Sequence, residues 1–176
     1  MKTTAKLRSK AAKIRLLLLD VDGVLTDGRI IIDDRGIESK EFDVRDGQGI
    51  VLLIRAGIAV GFLTSRRSRI VARRARELGV KLVFQGVRDK AKTYEEIKKK
   101  TRFADEEIAY LGDDLADVRI LRRVGLSVAV SDAWRGLSSR VDHVTSAAGG
   151  RGAVRELSEL ILNATGTWKT IVDDYF

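Results

Sequence analysis

Short apolar runs alternate along the chain with longer segments in which apolar positions recur at helical spacing. An unbroken apolar run such as 14–19 (IRLLLL) predicts a strand buried on both faces, as in a parallel sheet. Segments such as 47–56 (GQGIVLLIRA) predict amphipathic helices, and Gly57 follows this one as a C-terminal cap. This alternation predicts an α/β fold, with a doubly wound, mostly parallel sheet and helices on both of its faces.

The remaining predicted elements continue the same alternation. Further strands are predicted at 58–63, 80–84, 107–111, 126–130 and near 141–144. Further helices are predicted at 67–78, 89–100, 114–123, 132–139 (short) and 152–163.

A β-hairpin insert is predicted at about 29–43, where two strand-like segments flank the turn-like sequence DDRG. The hairpin and the predicted helices and strands already fill the chain from Asp20 to Thr64 and from Thr64 to Lys90. These stretches therefore leave no room for a separate cap domain. We expect three parts in sequence order: a basic N-terminal tail at 1–13, a single domain at 14–163 and a C-terminal tail at 164–176.

Composition and charge exclude several kinds of protein. The 176 residues include no cysteine, which excludes disulfides and thiolate chemistry, and no apolar run approaches the length of a membrane span. The net charge of +8 comes largely from the first 15 residues, which carry six Lys and Arg and no acid. An unstructured basic tail of this kind seldom binds a specific nucleic-acid sequence. We therefore expect a cytoplasmic protein without a specific nucleic-acid or membrane partner. For His143, the single histidine, we expect a structural role.

Polar side chains follow several predicted strands, and in such sheets sites lie at the C-terminal ends of the strands. Asp20 and Asp22 follow the first strand, Thr64 ends the second, and Lys90 and Asp113 come shortly after later strands. One carboxylate can attack a phosphate, a second can serve as a proton donor, and a divalent cation such as Mg²⁺ reduces the repulsion between the anions. The hydroxyl of Thr64, the ammonium of Lys90 and the carboxylate of Asp113 would complete the site. Asp114 and Asp117 would orient the metal-binding carboxylate without contacting the metal themselves.

Four motifs at these strand ends resemble a known family. The sequences DVDGVLTDG, FLTSR, GVRDK and YLGDDLAD are similar, in this order, to the motifs of the haloacid dehalogenase (HAD) phosphatase superfamily. KEFDVRDGQGI, SRRSRIVARRARELGV and GGRGAVRE resemble its cap-less branch, which contains the 3-deoxy-D-manno-octulosonate 8-phosphate (KDO 8-phosphate) phosphatases. The resemblance spans about 14–163.

The resemblance implies a Rossmann-like core and a Mg²⁺-dependent phosphatase that forms an aspartyl-phosphate. Asp20 would be the nucleophile and a metal ligand, and Asp22 the general acid and base, with its backbone carbonyl on the metal. Asp113 would be the third protein ligand, while Thr64 and Lys90 would hold the phosphate.

The resemblance also implies sites for the sugar and the subunit partner. Relatives form homotetramers that enclose each site, and we expect the same here through the hairpin, with the C-terminal segment around Trp168, Tyr175 and Phe176 either disordered or inserted into a neighbour. Gln48 and Val51 depart from the branch pattern DGYGIR, where an aromatic residue and an arginine are expected. The sugar-binding positions would be Asp22, Asp43, Val44, Arg45, Asp46, Gly47, Arg66, Arg74 and Lys90.

Four functional interpretations remain open from the sequence alone, and the first, a phosphatase of a small acidic sugar phosphate, has two candidate substrates. KDO 8-phosphate is the leading substrate, and the 9-phosphate of a nine-carbon acid sugar is the alternative. A phospho-accepting receiver domain would share the sheet, the acidic cluster, the threonine and the lysine. A tetrameric scaffold without activity, or a phosphatase of macromolecules attracted by the basic tail, would also fit parts of the sequence.

Overall fold

The computed structural model describes residues 4–174. The helices are α1 (Ala5–Ala11), α2 (Val44–Arg55), α3 (Arg69–Glu77), α4 (Lys90–Thr101), α5 (Val118–Leu121), α6 (Ala153–Ala164) and α7 (Trp168–Asp173). The strands are β1 (Leu16–Leu19), β2 (Ile31–Ile32), β3 (Glu38–Ser39), β4 (Ala59–Thr64), β5 (Leu82–Gln85), β6 (Ile108–Gly112), β7 (Leu126–Ala129) and β8 (His143–Val144). Within 4–174, none of the helices combines the length and apolar character that a bilayer-spanning helix needs.

Six strands form one parallel sheet in the order β5-β4-β1-β6-β7-β8, which confirms the predicted fold class. The four leucines of β1 are fully buried at its centre. Alternation along the strand sends Leu17 and Leu19 into one apolar cluster and Leu16 and Leu18 into the other. The cluster on one face contains residues of α1, α2 and α6, and the other contains residues of α4 and α5. The unbroken run LLLL therefore reflects a strand with helices on both sides.

The predicted hairpin is confirmed as β2 and β3, which pair in antiparallel register and form a separate two-stranded sheet. Between β1 and β4 the chain forms this hairpin and α2, and between β4 and β5 it forms α3. The strand ends of the main sheet are thus flanked by a short hairpin.

Three of the predicted helices have different boundaries in the structure. Helix α2 begins at Val44 because Asp43 accepts a hydrogen bond from the Arg45 backbone N–H, 2.6 Å away. The predicted helix at 114–123 divides into a 3-10 turn at Leu115–Asp117 followed by the short α5. The predicted helix at 132–139 is reduced to a 3-10 turn at Arg135–Leu137.

The prediction of an unstructured basic tail before residue 14 is wrong for 5–11, which form α1. Thr4 caps this helix by accepting a hydrogen bond from Leu7 N at 3.2 Å. Leu7 and Ala11, one helical turn apart, are buried against the core, and α1 packs on α6. Lys10 pairs with Asp142 at 2.5 Å. Only Leu7 and Ala11 of this helix are buried, and two such positions among three cations are too weak a periodicity to indicate this packing.

The C-terminal segment contains α7, which packs on α6 and places Trp168 against the core. The Arg155 guanidinium lies 5.4 Å from the centre of a Trp168 ring. Trp168 is therefore part of the domain's own packing, whereas Tyr175 and Phe176 lie outside the described residues.

Truncation of Leu7 tests whether α1 is part of the folded domain. Leu7→Ala removes a side chain that is 8% exposed, and we expect the free energy of unfolding to fall by about 2 kcal/mol. Urea denaturation measures this change. Lys6→Ala, an exposed position on the same helix, is the matched control. Equal stability of the two variants would contradict the packing of α1.

Candidate active site

The carboxyl ends of β1, β4 and β6 bring together the polar residues predicted to form the site. Asp20 follows β1, Thr64 is the last residue of β4, and Asp113 follows β6. Lys90 is the first residue of α4. Because β1 lies between β4 and β6, these side chains converge at the middle of one sheet edge.

The chain turns sharply after Asp20, and Gly23 makes this turn possible. Asp20 Oδ1 accepts a hydrogen bond from Val21 N at 2.7 Å, which fixes the carboxylate at the strand end. Gly23 has φ +89°, and a Cβ added there would lie 2.1 Å from Asp113 Oδ2. The glycine thus allows the loop that carries Asp22 to lie directly against Asp113.

Lys90 joins two of the acids. Its Nζ lies 2.7 Å from Asp20 Oδ2 and 2.7 Å from Asp117 Oδ1, and its side chain is 3% exposed. Burial alone would lower the pKa of Lys90, but the charges of Asp20 and Asp117 outweigh burial and hold the pKa above its ordinary value. The buried ammonium is therefore charged and in contact with the predicted nucleophile.

Asp117 is saturated with hydrogen bonds, which assigns it an orienting role. Its Oδ1 accepts from Lys90 and, at 2.6 Å, from the Tyr110 hydroxyl. Its Oδ2 accepts from the backbone N–H groups of Asp113 and Asp114, at 3.0 and 3.3 Å. Asp117 is 0% exposed. It therefore fixes both the lysine and the loop that carries Asp113.

Sequence reasoning missed Tyr110, although the chain contains a signal for it. Tyr110 is fully buried in the otherwise apolar β6, so its hydroxyl needs a partner inside the protein. Asp117 is that partner, and burial followed by the charge of Asp117 raises the pKa of Tyr110 well above its ordinary value.

Asp20 and Asp113 remain as carboxylates that can hold a metal ion. Oxygens of Asp20, Asp113 and Asp117 lie within 4.8 Å of one another, but Asp117 is fully used by its protein partners. Within 4–174, no protein group donates a hydrogen bond to the Asp113 carboxylate. Burial, then the charge of Asp117, raises the pKa of Asp20 to about 6. Burial, then the charges of Asp20 and Asp117, raises that of Asp113 to about 8. Such a crowded oxygen cluster fits a hard divalent cation such as Mg²⁺.

Asp22 lies beside this cluster, with its two oxygens in different surroundings. Its Oδ2 accepts a hydrogen bond from Thr64 Oγ1 at 3.3 Å. Its Oδ1 contacts the ammonium of Lys40, which comes from the hairpin. Lys40 was not among the residues predicted from the sequence, where it resembled one surface lysine among many.

Arg66 and Arg74, both predicted to bind the sugar, lie in different surroundings. Arg66 Nη2 donates to Glu38 of the hairpin at 2.8 Å, and its Nε is buried without a hydrogen-bond partner. Arg74 packs over Phe42 at 5.8 Å and lies against Gly47, where a Cβ would come within 2.3 Å of Arg74 Nη2. Arg66 is thus joined to the hairpin, and Arg74 to the start of α2.

The predicted sugar-binding stretch from Asp43 to Gly47 forms the first turn of α2, and its acids already have protein partners. Asp43 pairs with Arg45 at 2.9 Å, and Val44 is 80% exposed. Asp46 is 1% exposed, and its oxygens accept from backbone N–H groups at the start of α6, those of Gly152 at 3.2 Å and Arg155 at 2.8 Å. The Asp46 carboxylate therefore caps α6, and the exposed members of the stretch are better placed to meet a ligand.

Two further candidates lie at the margin of the site or away from it. The Asp114 side chain is exposed and accepts from Leu115 N at 2.7 Å, so it caps the 3-10 turn while its own N–H supports Asp117. His143 lies in β8, and its Nε2 is 3.7 Å from Oε1 of Glu156, which is not one of the predicted site residues.

The raised pKa of Asp113 predicts how the stability of the metal-free protein depends on pH. A carboxyl whose pKa is higher in the folded state binds protons more tightly there, so stability falls as the pH rises from 3.8 to about 8. Asp113→Asn removes that charge, and in chelator at about pH 8 it should raise the free energy of unfolding by on the order of 2 kcal/mol. The same variant should lose the stabilisation that Mg²⁺ gives the unsubstituted protein.

Urea denaturation at about pH 5 and about pH 8, in chelator and in Mg²⁺, measures both effects. Asp34→Asn, an exposed position in the hairpin turn, makes the same change away from the cluster and should alter neither. An Asp113→Asn variant that is less stable than the unsubstituted protein at the higher pH in chelator would contradict this account of the cluster.

Comparison with known proteins was consistent with this geometry. A family model described as haloacid dehalogenase-like hydrolase matches residues 79–157. The 3-deoxy-D-manno-octulosonate 8-phosphate phosphatase of Escherichia coli is 46% identical over 163 residues, covering 93% of this chain and 87% of that protein. The crystal structure of the corresponding Yersinia pestis phosphatase superposes with a TM-score of 0.94 at 44% identity, covering 95% of this chain and 90% of that one.

A third relative was solved with ligands. The Moraxella catarrhalis 3-deoxy-D-manno-octulosonate 8-phosphate phosphatase, in complex with magnesium ion, phosphate ion and KDO, has a TM-score of 0.96 at 37% identity. It covers 99% of this chain and 100% of that one. The chain therefore belongs to the haloacid dehalogenase-like hydrolases and, within them, to the family of the 3-deoxy-D-manno-octulosonate 8-phosphate phosphatases.

Proposed function

We propose that this protein hydrolyses KDO 8-phosphate to KDO and phosphate, with Mg²⁺ as its cofactor and an aspartyl-phosphate as the intermediate. The observation that carries the proposal is the position of Asp20, which is held by Lys90 and lies in one oxygen cluster with Asp113. Relatives that share 37% to 46% of their residues with this chain bear the name of that phosphatase, and one was solved with magnesium, phosphate and KDO. Membership of a hydrolase family speaks against the receiver and scaffold interpretations.

The chemistry divides between two carboxylates. Asp20 forms a bond to phosphorus while the bond from phosphorus to the sugar oxygen breaks, and Asp22 gives a proton to that oxygen. Water then attacks phosphorus, Asp22 takes a proton from it, and Asp20 is released. Mg²⁺, held by Asp20 and Asp113, supplies the positive charge that offsets repulsion between the carboxylate and the phosphate. Lys90 and the Thr64 hydroxyl bind phosphate oxygens, and the Lys90 charge opposes the rise that burial causes in the pKa of Asp20.

Recognition of the sugar is assigned to the residues around the first turn of α2 and to two arginines. Arg66 has a buried Nε that lacks a hydrogen-bond partner among residues 4–174, and Arg74 lies beside Gly47. The part-buried Gln48 and Val51 lie on the same helix, where the branch pattern has an aromatic residue and an arginine. Because these two positions depart from the pattern on which the choice of sugar rests, the 9-phosphate of a nine-carbon acid sugar is the second candidate substrate.

The proposal extends to a homotetramer, supported by the apolar surface of the hairpin. Four hairpin isoleucines, Ile30, Ile31, Ile32 and Ile37, are 43% to 58% exposed. A two-stranded hairpin with exposed isoleucines is unstable in water unless another surface covers it. Burial of these residues against neighbouring subunits would also shield the sheet edge, where phosphoryl transfer requires limited access of water. A cytoplasmic location remains part of the proposal.

A substrate panel tests the reaction and the choice of sugar. We expect Mg²⁺-dependent phosphate release from KDO 8-phosphate in preference to nine-carbon acid sugar 9-phosphates, and none in chelator. Asp20→Asn removes the nucleophile and should lower kcat at least about 10³-fold. Glu96→Gln makes the same carboxylate-to-amide change at an exposed position of α4 and should leave the rate unchanged. Preference for a nine-carbon substrate would reverse the choice of sugar, and full activity of Asp20→Asn would overturn the mechanism.

Charge placed on the hairpin tests the assembly. The double substitution Ile30→Glu and Ile32→Glu introduces like charges into the apolar surface, and we expect it to convert tetramers into monomers in analytical ultracentrifugation. Lys99→Glu with Lys100→Glu adds negative charge to an exposed end of α4 and should leave the mass unchanged. A hairpin variant that retains the mass of the unsubstituted protein would place the interface elsewhere.

A further inference from the structure

Lys40 is a buried cation at the edge of the active site. It follows β3 of the hairpin, and its side chain is only 1% exposed. Its ammonium contacts Asp22 Oδ1 and lies 3.6 Å from Glu38 Oε1. Burial of an ammonium is unfavourable unless acids compensate its charge, and these two carboxylates do so. The position of Lys40 is therefore fixed by its partners.

Glu38 anchors Lys40 to the main sheet. Its Oε1 accepts from Arg66 Nη2 at 2.8 Å, and its Oε2 accepts from Ser68 Oγ at 2.9 Å. Both partners lie in the segment between β4 and α3. A chain of contacts thus runs from the segment after β4 through Glu38 and Lys40 to Asp22.

The two oxygens of Asp22 consequently differ in how firmly they are held. Oδ1 is held by the buried ammonium of Lys40, a charge-assisted contact. Among the described residues, Oδ2 has one partner, the neutral Thr64 hydroxyl at 3.3 Å, which is a long hydrogen bond. The neutral partner is the easier of the two to exchange for a ligand. The geometry leaves Oδ2 as the oxygen that can exchange a proton with a substrate.

We propose that Lys40 is a positioning residue that acts through Asp22, holding Oδ1 so that Oδ2 faces the oxygen of the leaving sugar. The inference rests on the proposed function. As Asp20 bonds to phosphorus and the phosphorus–oxygen bond to the sugar breaks, the proton on Oδ2 moves to the departing oxygen, which takes the bonding electron pair. In the second step, the attacking water returns a proton to Oδ2.

A comparison of leaving groups tests this role. A sugar alkoxide needs a proton as it departs, whereas p-nitrophenolate is stable without one. We expect Lys40→Met to lower kcat/KM for KDO 8-phosphate about 100-fold and for p-nitrophenyl phosphate less than about 5-fold. Lys81→Met, at an exposed position, is the control and should change neither value. If the Met variant does not fold, Lys40→Gln removes the charge with a polar side chain and should show the same split.

A double-mutant cycle separates positioning from direct contact with the sugar. If Lys40 acts through Asp22, adding Lys40→Met to Asp22→Asn should change single-turnover hydrolysis of KDO 8-phosphate less than about 3-fold. Equal losses for both leaving groups, no loss for either, or multiplication of the two effects in the double variant would each overturn the proposal. Absence of hydrolysis by the unsubstituted enzyme would overturn the proposed function itself, so the two failures are distinguishable.

Discussion

The ion pair between Lys90 and Asp20, supported by Asp117, is the contact on which the rest of the site depends. Three carboxylates that face one another in a partly buried cluster repel, and within residues 4–174 one lysine, Lys90, is paired with them. The surplus of two negative charges equals the charge of one divalent cation. Burial, followed by the charges of Asp20 and Asp117, raises the pKa of Asp113 to about 8, and the surplus charge makes a magnesium ion suit the cluster. The hydroxyl of Tyr110 in β6 donates a hydrogen bond to Asp117 and so helps to satisfy this buried carboxylate.

The second constraint is the absence of a large insertion between β1 and β4, which leaves the hairpin as the nearest cover for the site. The hairpin reaches the catalytic edge through Lys40 and Glu38, while its isoleucines face outward. One small element thus contributes both a contact to Asp22 and the surface that we propose for assembly. If the hairpin packs against other subunits as we propose, a change in that packing would alter the contact between Lys40 and Asp22.

The sequence was sufficient to predict the sheet, the hairpin and the residues at the strand ends. An unbroken apolar run such as LLLL is typical of a strand buried on both faces, and the carboxyl ends of parallel strands lie at one edge of the sheet. It was insufficient for α1, in which Leu7 and Ala11 are the two buried residues and three cations interrupt the apolar pattern. It also missed Lys40 and Tyr110, whose roles depend on contacts between segments distant in sequence. Asp46 illustrates the reverse case: motif resemblance suggested a ligand contact, and its burial at the start of α6 indicates a cap.

Covalent phosphorylation of Asp20 is the central claim, and chemical trapping tests it most directly. The enzyme would be quenched in the first turnover with KDO 8-phosphate and Mg²⁺, reduced with borohydride and digested for mass spectrometry. Borohydride converts an aspartyl-phosphate to homoserine, so the account predicts homoserine at position 20 that is absent when chelator replaces Mg²⁺. Modification at a different residue, or an unmodified Asp20 in a sample whose phosphate release shows a first-turnover burst, would contradict it.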